Sequence, residues 1–236
     1  YIIMQYQKIL FSKNNIYLSV ILIFLFQIYI GNFEYRIVPD TSSYIEALNI
    51  NDPSASKRTP IFGIILEIFS SGYQYFPIFN FFLLLISIAF FCRSLNLIGF
   101  SSKFFPFIYL VFGFSNISLF YTSMIHPEVM ANSLFLLSIA IIIRYTQKEF
   151  LSFFKFFIFG VIELFLVLLK PSFLLIIFIL PLFYLLLKRA LDNISYSKNG
   201  LKNFIFLILS GILFLSSSFL SYHIDQSLYL WRNKHH

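Results

Sequence analysis

Val38-Pro39-Asp40-Thr41-Ser42-Ser43-Tyr44-Ile45-Glu46 is the centre of the one long polar interruption in an otherwise mostly lipid-soluble chain. The interruption runs from Gly31 to about Tyr75 and holds Glu34, Asp40, Glu46, Asp52 and Glu67, five of the ten carboxylates. Apolar runs on both sides of it are long enough to be membrane spans. The rest of the chain therefore reads as a scaffold that holds this loop against a few polar residues on the same side.

Composition points the same way. The 236 residues are 59% hydrophobic and 11% charged, with a mean hydropathy of +0.83. So few charges cannot cover the apolar surface of a soluble domain, and the class is integral membrane protein. The net charge of +7 and pI near 9.4 do not call for nucleic acid. Lys and Arg collect in cytoplasmic loops of membrane proteins, and no basic stripe lies outside the loop ends. The single Cys92 excludes an intrachain disulfide and a multi-cysteine metal site. The first apolar run is too long for a signal peptide and lacks a small-residue cleavage site.

A span needs roughly 17–25 residues. Candidates fall at about 14–31, 76–92, 104–121, 128–144, 154–170, 172–188 and 203–222. The expectation is an all-α polytopic membrane helical bundle of about seven spans, one transmembrane domain over residues 1–236, with a first outer loop at about 32–75. With a cytoplasmic N-terminus, eleven of the 17 basic residues fall inside, among them Arg93, Arg144, Lys155, Lys188 and Arg189. Seven of the ten acids fall outside, which is the separation the positive-inside rule expects. The chemistry-bearing face is then extracytoplasmic.

Within the loop, residues 41–49 suit a short helix with Asp40 as its N-cap. Residues 60–70 suit a second, with Pro60 in its first turn, too short to span. The connection Thr122-Ser123-Met124-Ile125-His126-Pro127-Glu128 is short. Its Pro127 fits a helix start, and Glu128 falls in the first turn, at the positive end of the helix dipole. Glu163 precedes Lys170 by seven residues, two turns on one helical face and about 10 Å of rise. Lys170 is therefore a candidate partner for an acid that is costly if it faces lipid.

Each of these residues has a plainer reading. Asp40 is either an N-cap in a solvated loop or a catalytic carboxylate at the membrane surface. Lys57 and Arg58 are either hydrated turn residues or a phosphate site, since two outward cations run against the charge bias. His126 and Glu128 are either helix-start residues or an acid–base or metal pair. Lys170 either snorkels to the interface or binds a lipid phosphate. The chain has no nucleotide-binding glycine loop, no His-Glu-x-x-His and no Gly-x-Ser-x-Gly.

Four stretches, in this order, resemble the GT-C superfamily of membrane glycosyltransferases, in its bacterial protein-mannosyltransferase-like and lipid A aminoarabinose-transferase-like branch. They are Pro39-Asp40-Thr41-Ser42-Ser43-Tyr44-Ile45, Lys57-Arg58-Thr59-Pro60-Ile61-Phe62, His126-Pro127-Glu128 and Lys170-Pro171-Ser172. The resemblance covers about residues 14–190 and lies in the order and shared sidedness of the four stretches. It implies inverting transfer of a sugar from a polyprenyl-phosphate donor to an acceptor at the outer face of a bacterial inner membrane. Asp40 would then deprotonate or position the acceptor hydroxyl. Arg58, with Lys57 and Lys170, would hold the donor phosphate, and Glu128 would be the second acid. Tyr44 would belong to substrate binding, and His126, which has no firm counterpart in the family, is placed with it by its position beside Glu128. The partners implied are the lipid-linked sugar and membrane lipids, with no nucleic acid. Asp40 is followed by Thr41 where many relatives pair two acids, so a divalent cation is unsupported and no cofactor is expected. Relatives usually carry more spans, which would make this chain a fragment, a minimal member or a degenerate member that keeps the fold without catalysis. The competing readings are a transporter or flippase of lipid-linked substrates and a non-catalytic membrane scaffold subunit.

Overall fold

A computed structural model describes residues 13–37, 41, 60–69, 73–147, 152–191, 203–209 and 211–212. Among them the named elements are all helices: α1 (Lys13–Tyr29), α2 (Pro60–Ile68), α3 (Phe76–Leu97), α4 (Phe105–Gly113), α5 (Asn116–Tyr121), α6 (Glu128–Thr146), α7 (Phe153–Leu169) and α8 (Ile176–Leu191). Short 3₁₀ turns lead into α3, α4 and α8. The only pairing of β type among the described residues is an isolated parallel bridge between Arg36 and Met124. Residues 203–209 and 211–212 are also helical.

Among the described residues three helical stretches are long and apolar enough to cross a membrane: Tyr73–Leu97, Glu128–Thr146 and Ser172–Leu191. The candidate span at 104–121 is not one helix. It breaks at Phe114-Ser115, between α4 and α5, and local chemistry explains the break. Ser115 is extended (φ −65°, ψ 153°), and its hydroxyl both accepts from the Ser118 N–H at 3.3 Å and donates to the Phe112 carbonyl at 2.7 Å. It thus caps α5 while closing α4, the local competition with helix backbone that serine offers. Pro60 opens α2, as its restricted φ favours. Thr41 is helical and buried, while the remainder of the expected helix at 42–49 and its cap Asp40 lie outside the described residues.

Contacts divide the chain into two compact units, Tyr1–Val38 with Ser71–Ala140, and Pro39–Ser70 with Ile141–His236. In the first, α1 lies against α4, and α4 against α3. The inward residues of α1 are Ser19, Ile23 and Gln27, four apart and so on one face, while Tyr17, Leu18, Ile21, Leu25 and Ile28 are exposed. Gly113 lets the helices close: a Cβ there would meet Ile23, 2.7 Å from Cγ1. Small residues at such crossings do the work that the hydrophobic effect does in water, because in lipid the gain comes from packing itself. Around this contact lie Phe81, Leu84, Ile88, Tyr109 and Val129, and Phe33 meets Phe81 edge-on at 5.4 Å.

In the second unit, α2 packs on α7. Lys170 caps α7 in an extended conformation (φ −148°, ψ 98°), the conformation that Pro171 imposes on the residue before it. α8 carries Pro181 inside it and Lys188 and Arg189 in its last turn. Lys188 Nζ donates to the Thr146 carbonyl at 3.0 Å, and Tyr145 Oη donates to the Lys155 carbonyl at 2.7 Å. The start of α7 and the end of α8 therefore meet the end of α6, and three basic residues, Arg144, Lys155 and Lys188, gather there. Tyr184 is fully buried on α8 and accepts from Asn203 Nδ2 at 3.1 Å.

Candidate functional site

The loop that follows α1 begins with a helix stop written in the sequence. Gly31 has φ +71°, the left-handed conformation that glycine adopts at least cost. Its N–H reaches the Ile28 carbonyl at 3.0 Å, and the Asn32 N–H reaches the Gln27 carbonyl at 2.9 Å. These are the two bonds of a Schellman termination. The contact between the residues it brings together is polar here, with Asn32 Nδ2 donating to Gln27 Oε1 at 2.6 Å.

The same amides tie the end of α1 to α5. Gln27 Nε2 donates to Ser118 Oγ at 2.9 Å, and Asn32 Nδ2 donates to the Leu119 carbonyl at 2.5 Å. Thr122 Oγ1 donates to the Ser118 carbonyl at 2.5 Å, and Asn80 Nδ2 of α3 donates to the Thr122 carbonyl at 3.5 Å. Gln27, Asn32, Asn80, Ser118 and Thr122 are all buried. Buried amides in an apolar bundle are stable when they bond one another, and the network fixes the turn that α5 leads into.

That turn carries the candidate chemistry. The Arg36 N–H donates to the Ser123 carbonyl at 2.8 Å, and the Ile125 N–H donates to the Arg36 carbonyl at 3.1 Å. The start of the first loop is thus stitched, main chain to main chain, beside His126 and Glu128. His126 Nδ1 stands 4.0 Å from Glu128 Oε1, with the side chains 14% and 16% exposed. This is longer than a hydrogen bond and within reach of charge attraction. The His126 ring lies 5.7 Å from that of Tyr121. Glu128 opens α6, in the positive field of the helix start, and Asn132 Nδ2 donates to its carbonyl at 2.7 Å. A partly exposed His–Glu pair on a turn is suited to orienting a hydroxyl and moving its proton. Asn80 Oδ1 and Ser123 Oγ are buried, with no hydrogen-bond partner among the described residues.

The structure thus brings His126 and Glu128 together. Lys170 is half-buried, its Nζ 5.9 Å from the Phe173 ring. It does not serve Glu163: both carboxylate oxygens of that residue are buried without a hydrogen-bond partner among the described residues. The face count from 163 to 170 holds only along a continuing helix, and α7 ends at Leu169. Asp40, Tyr44, Lys57 and Arg58 lie outside the described residues. Among the described residues no group of three or more His, Cys, Asp or Glu side chains is placed to hold a metal.

Sequence reading passed over Gln27, Asn32, Arg36, Asn80 and Ser123. Two of them did carry a signal, because Gln27 and Asn80 are amides inside apolar runs and such residues face the bundle interior. No protein-family model matches the chain, and searches of curated proteins and of solved structures find no match.

Proposed function

We propose that the protein transfers a sugar from a polyprenyl-phosphate donor to an acceptor hydroxyl at the extracytoplasmic face of a bacterial inner membrane, in the manner of GT-C glycosyltransferases. The observation that supports this best is the paired His126 and Glu128 on a tight turn to which the start of the first loop is bonded. That loop carries Asp40 a few residues further along the sequence. In this reading Asp40 takes the proton of the acceptor hydroxyl and the oxygen attacks the anomeric carbon. The bond from that carbon to the phosphate oxygen breaks with inversion, and its electron pair leaves on the lipid phosphate. Arg58, Lys57 and Lys170 stabilise that charge. Glu128 and His126 orient the sugar or the acceptor, and Tyr44 contributes to binding. The donor's lipid tail stays in the bilayer, so its reacting carbon meets protein at the membrane surface.

The topology proposed with it has about seven spans and a cytoplasmic N-terminus. It is supported by the meeting of Arg144, Lys155 and Lys188 at one end of the second unit, since basic residues mark the cytoplasmic side.

Membranes supplied with labelled polyprenyl-phosphate sugars test the reading. Transfer by the wild type, lost in Asp40→Asn and Arg58→Ala at equal expression, supports it. Undiminished transfer by Asp40→Asn removes the mechanism. A transporter or flippase of lipid-linked substrates is the second reading, and buried Glu163 favours it, because acids inside membrane helices mark transport paths. Movement of labelled donor across vesicles without transfer would select it.

A further inference from the structure

Glu163 is the one acid of α7 and is 1% exposed. Both carboxylate oxygens are buried, and neither has a hydrogen-bond partner among the described residues. The space the carboxyl occupies is left by Gly211: a Cβ there would stand 2.6 Å from Glu163 Oε2 and 2.7 Å from Ile177 Cγ2. Thus the acid lies in a three-way contact of α7, α8 and the helical residues near 211, where Gly211 and Ile177 are the described residues placed against it.

The charged groups on these elements sit elsewhere. Lys155 stands near the start of α7, roughly 12 Å along its axis from Glu163, and Lys170 follows the end of α7. Lys188 and Arg189 are in the last turn of α8. Glu67 of α2, which packs on α7, is exposed. Residues 203–209 and 211–212 contain no titratable side chain. Among the described residues an ionised carboxylate placed so would have neither a counter-charge nor a donor, the arrangement buried charges avoid. A metal ion would need further donors, and among the described residues no group of three or more His, Cys, Asp or Glu side chains is placed to supply them.

We infer that Glu163 is a proton-binding site, a neutral carboxylic acid whose bound proton permits the close contact of α7 with Gly211. Loss of the proton leaves a bare charge against Gly211 and Ile177, so the contact opens to admit water or a cation. The site binds and releases a single proton, and its occupancy sets the packing of this part of the second unit. The inference stands independently of the transferase reading.

The test uses the full chain in lipid nanodiscs with ¹³C-labelled glutamate side chains. At neutral pH the wild type is expected to show one carboxyl carbon signal at the protonated position. That signal is lost in Glu163→Gln and shifted in Gly211→Ala, where the new methyl crowds the acid. A wild-type spectrum with every glutamate carboxyl ionised overturns the inference, and so does a protonated signal that neither substitution moves. The wild-type spectrum and Gly211→Ala carry the test even where Glu163→Gln fails to accumulate.

Discussion

Asn32 donates its side-chain amide to Gln27 Oε1 across the glycine turn that ends α1, and both groups are buried. The contact that commonly seals such a turn is apolar. Its replacement by an amide pair gives this end of the helix hydrogen-bonding capacity, which Ser118 and Leu119 of α5 take up. Asn32→Ala should cost roughly 1–2 kcal/mol, because it leaves buried acceptors at Gln27 and Leu119 without their donor. Gln27→Leu combined with Asn32→Leu should recover part of that loss, since removing both polar partners is milder than removing one. Unfolding in graded denaturing detergent measures both.

Gly31 and Gly113 of the first unit should fail for different reasons. Gly31→Ala is strained by φ +71° with nothing within 4 Å of the added carbon. It should cost about 1 kcal/mol and be relieved by asparagine, which tolerates that conformation. Gly113→Ala meets Ile23 instead and should cost about 1–3 kcal/mol. Trimming Ile23 to Val or Ala should restore part of the stability of Gly113→Ala and none of that of Gly31→Ala. Paired melting curves in mild detergent separate the two.

Arg36 holds the turn through its main chain. Arg36→Ala should therefore leave the loop docked, whereas Arg36→Pro removes the N–H that reaches Ser123. Limited proteolysis of the stretch between α1 and α2 is the readout. Cleavage of Arg36→Pro should far exceed that of Arg36→Ala, and equal rates would mean that the side chain does the docking.

In the proposed transferase reading Glu128 should matter for turnover more than for folding, because its side chain keeps 16% exposure at the start of α6. Glu128→Gln should keep expression and detergent stability near wild type while lowering sugar transfer by about 100-fold. His126→Gln should lower it less, since the carboxylate stays in the field of the helix start. Initial rates at varied donor concentration distinguish a change in kcat from one in KM.

At the opposite end of α6, Lys188→Met should cost about 1–2 kcal/mol by releasing the Thr146 carbonyl, and Lys188→Arg should retain most of that bond. Tyr145→Phe removes one hydrogen bond to Lys155 and should cost about 1 kcal/mol. Thermal melting compared with wild type reads each.

Helix punctuation was legible in the sequence where proline or charge set it. Pro60 begins α2, Pro127-Glu128 announces α6, and Lys170-Pro171 stops α7. Hydropathy missed the break at Ser115, because one hydroxyl bonding its neighbours leaves the average over 104–121 apolar. The amide network was hidden for another reason. Gln27 and Ser118 meet across 91 residues of sequence, and each alone reads as a stray polar group. The pairing of Arg36 with the turn has no side-chain signature at all. His126 and Glu128 were readable as a pair from their spacing, while Lys170 was misread as a partner for Glu163 because the helix was carried one residue too far.

The stitch between Arg36 and the turn before α6 also bears on how this chain would change over generations. Main-chain bonds pass unaltered through nearly every substitution, so the stitch itself leaves the exposed position 36 free to drift, while Ser123 and Ile125 stay constrained by their burial. Lengths are not free: inserting or deleting one residue between Gly31 and Arg36 would exchange the residue that faces Met124 and aim the following loop elsewhere. Descendants of a common ancestor would therefore share the count of residues from the glycine stop to the bridge while their alphabets diverged, and kinship would be visible in spacing long after it had faded from identity.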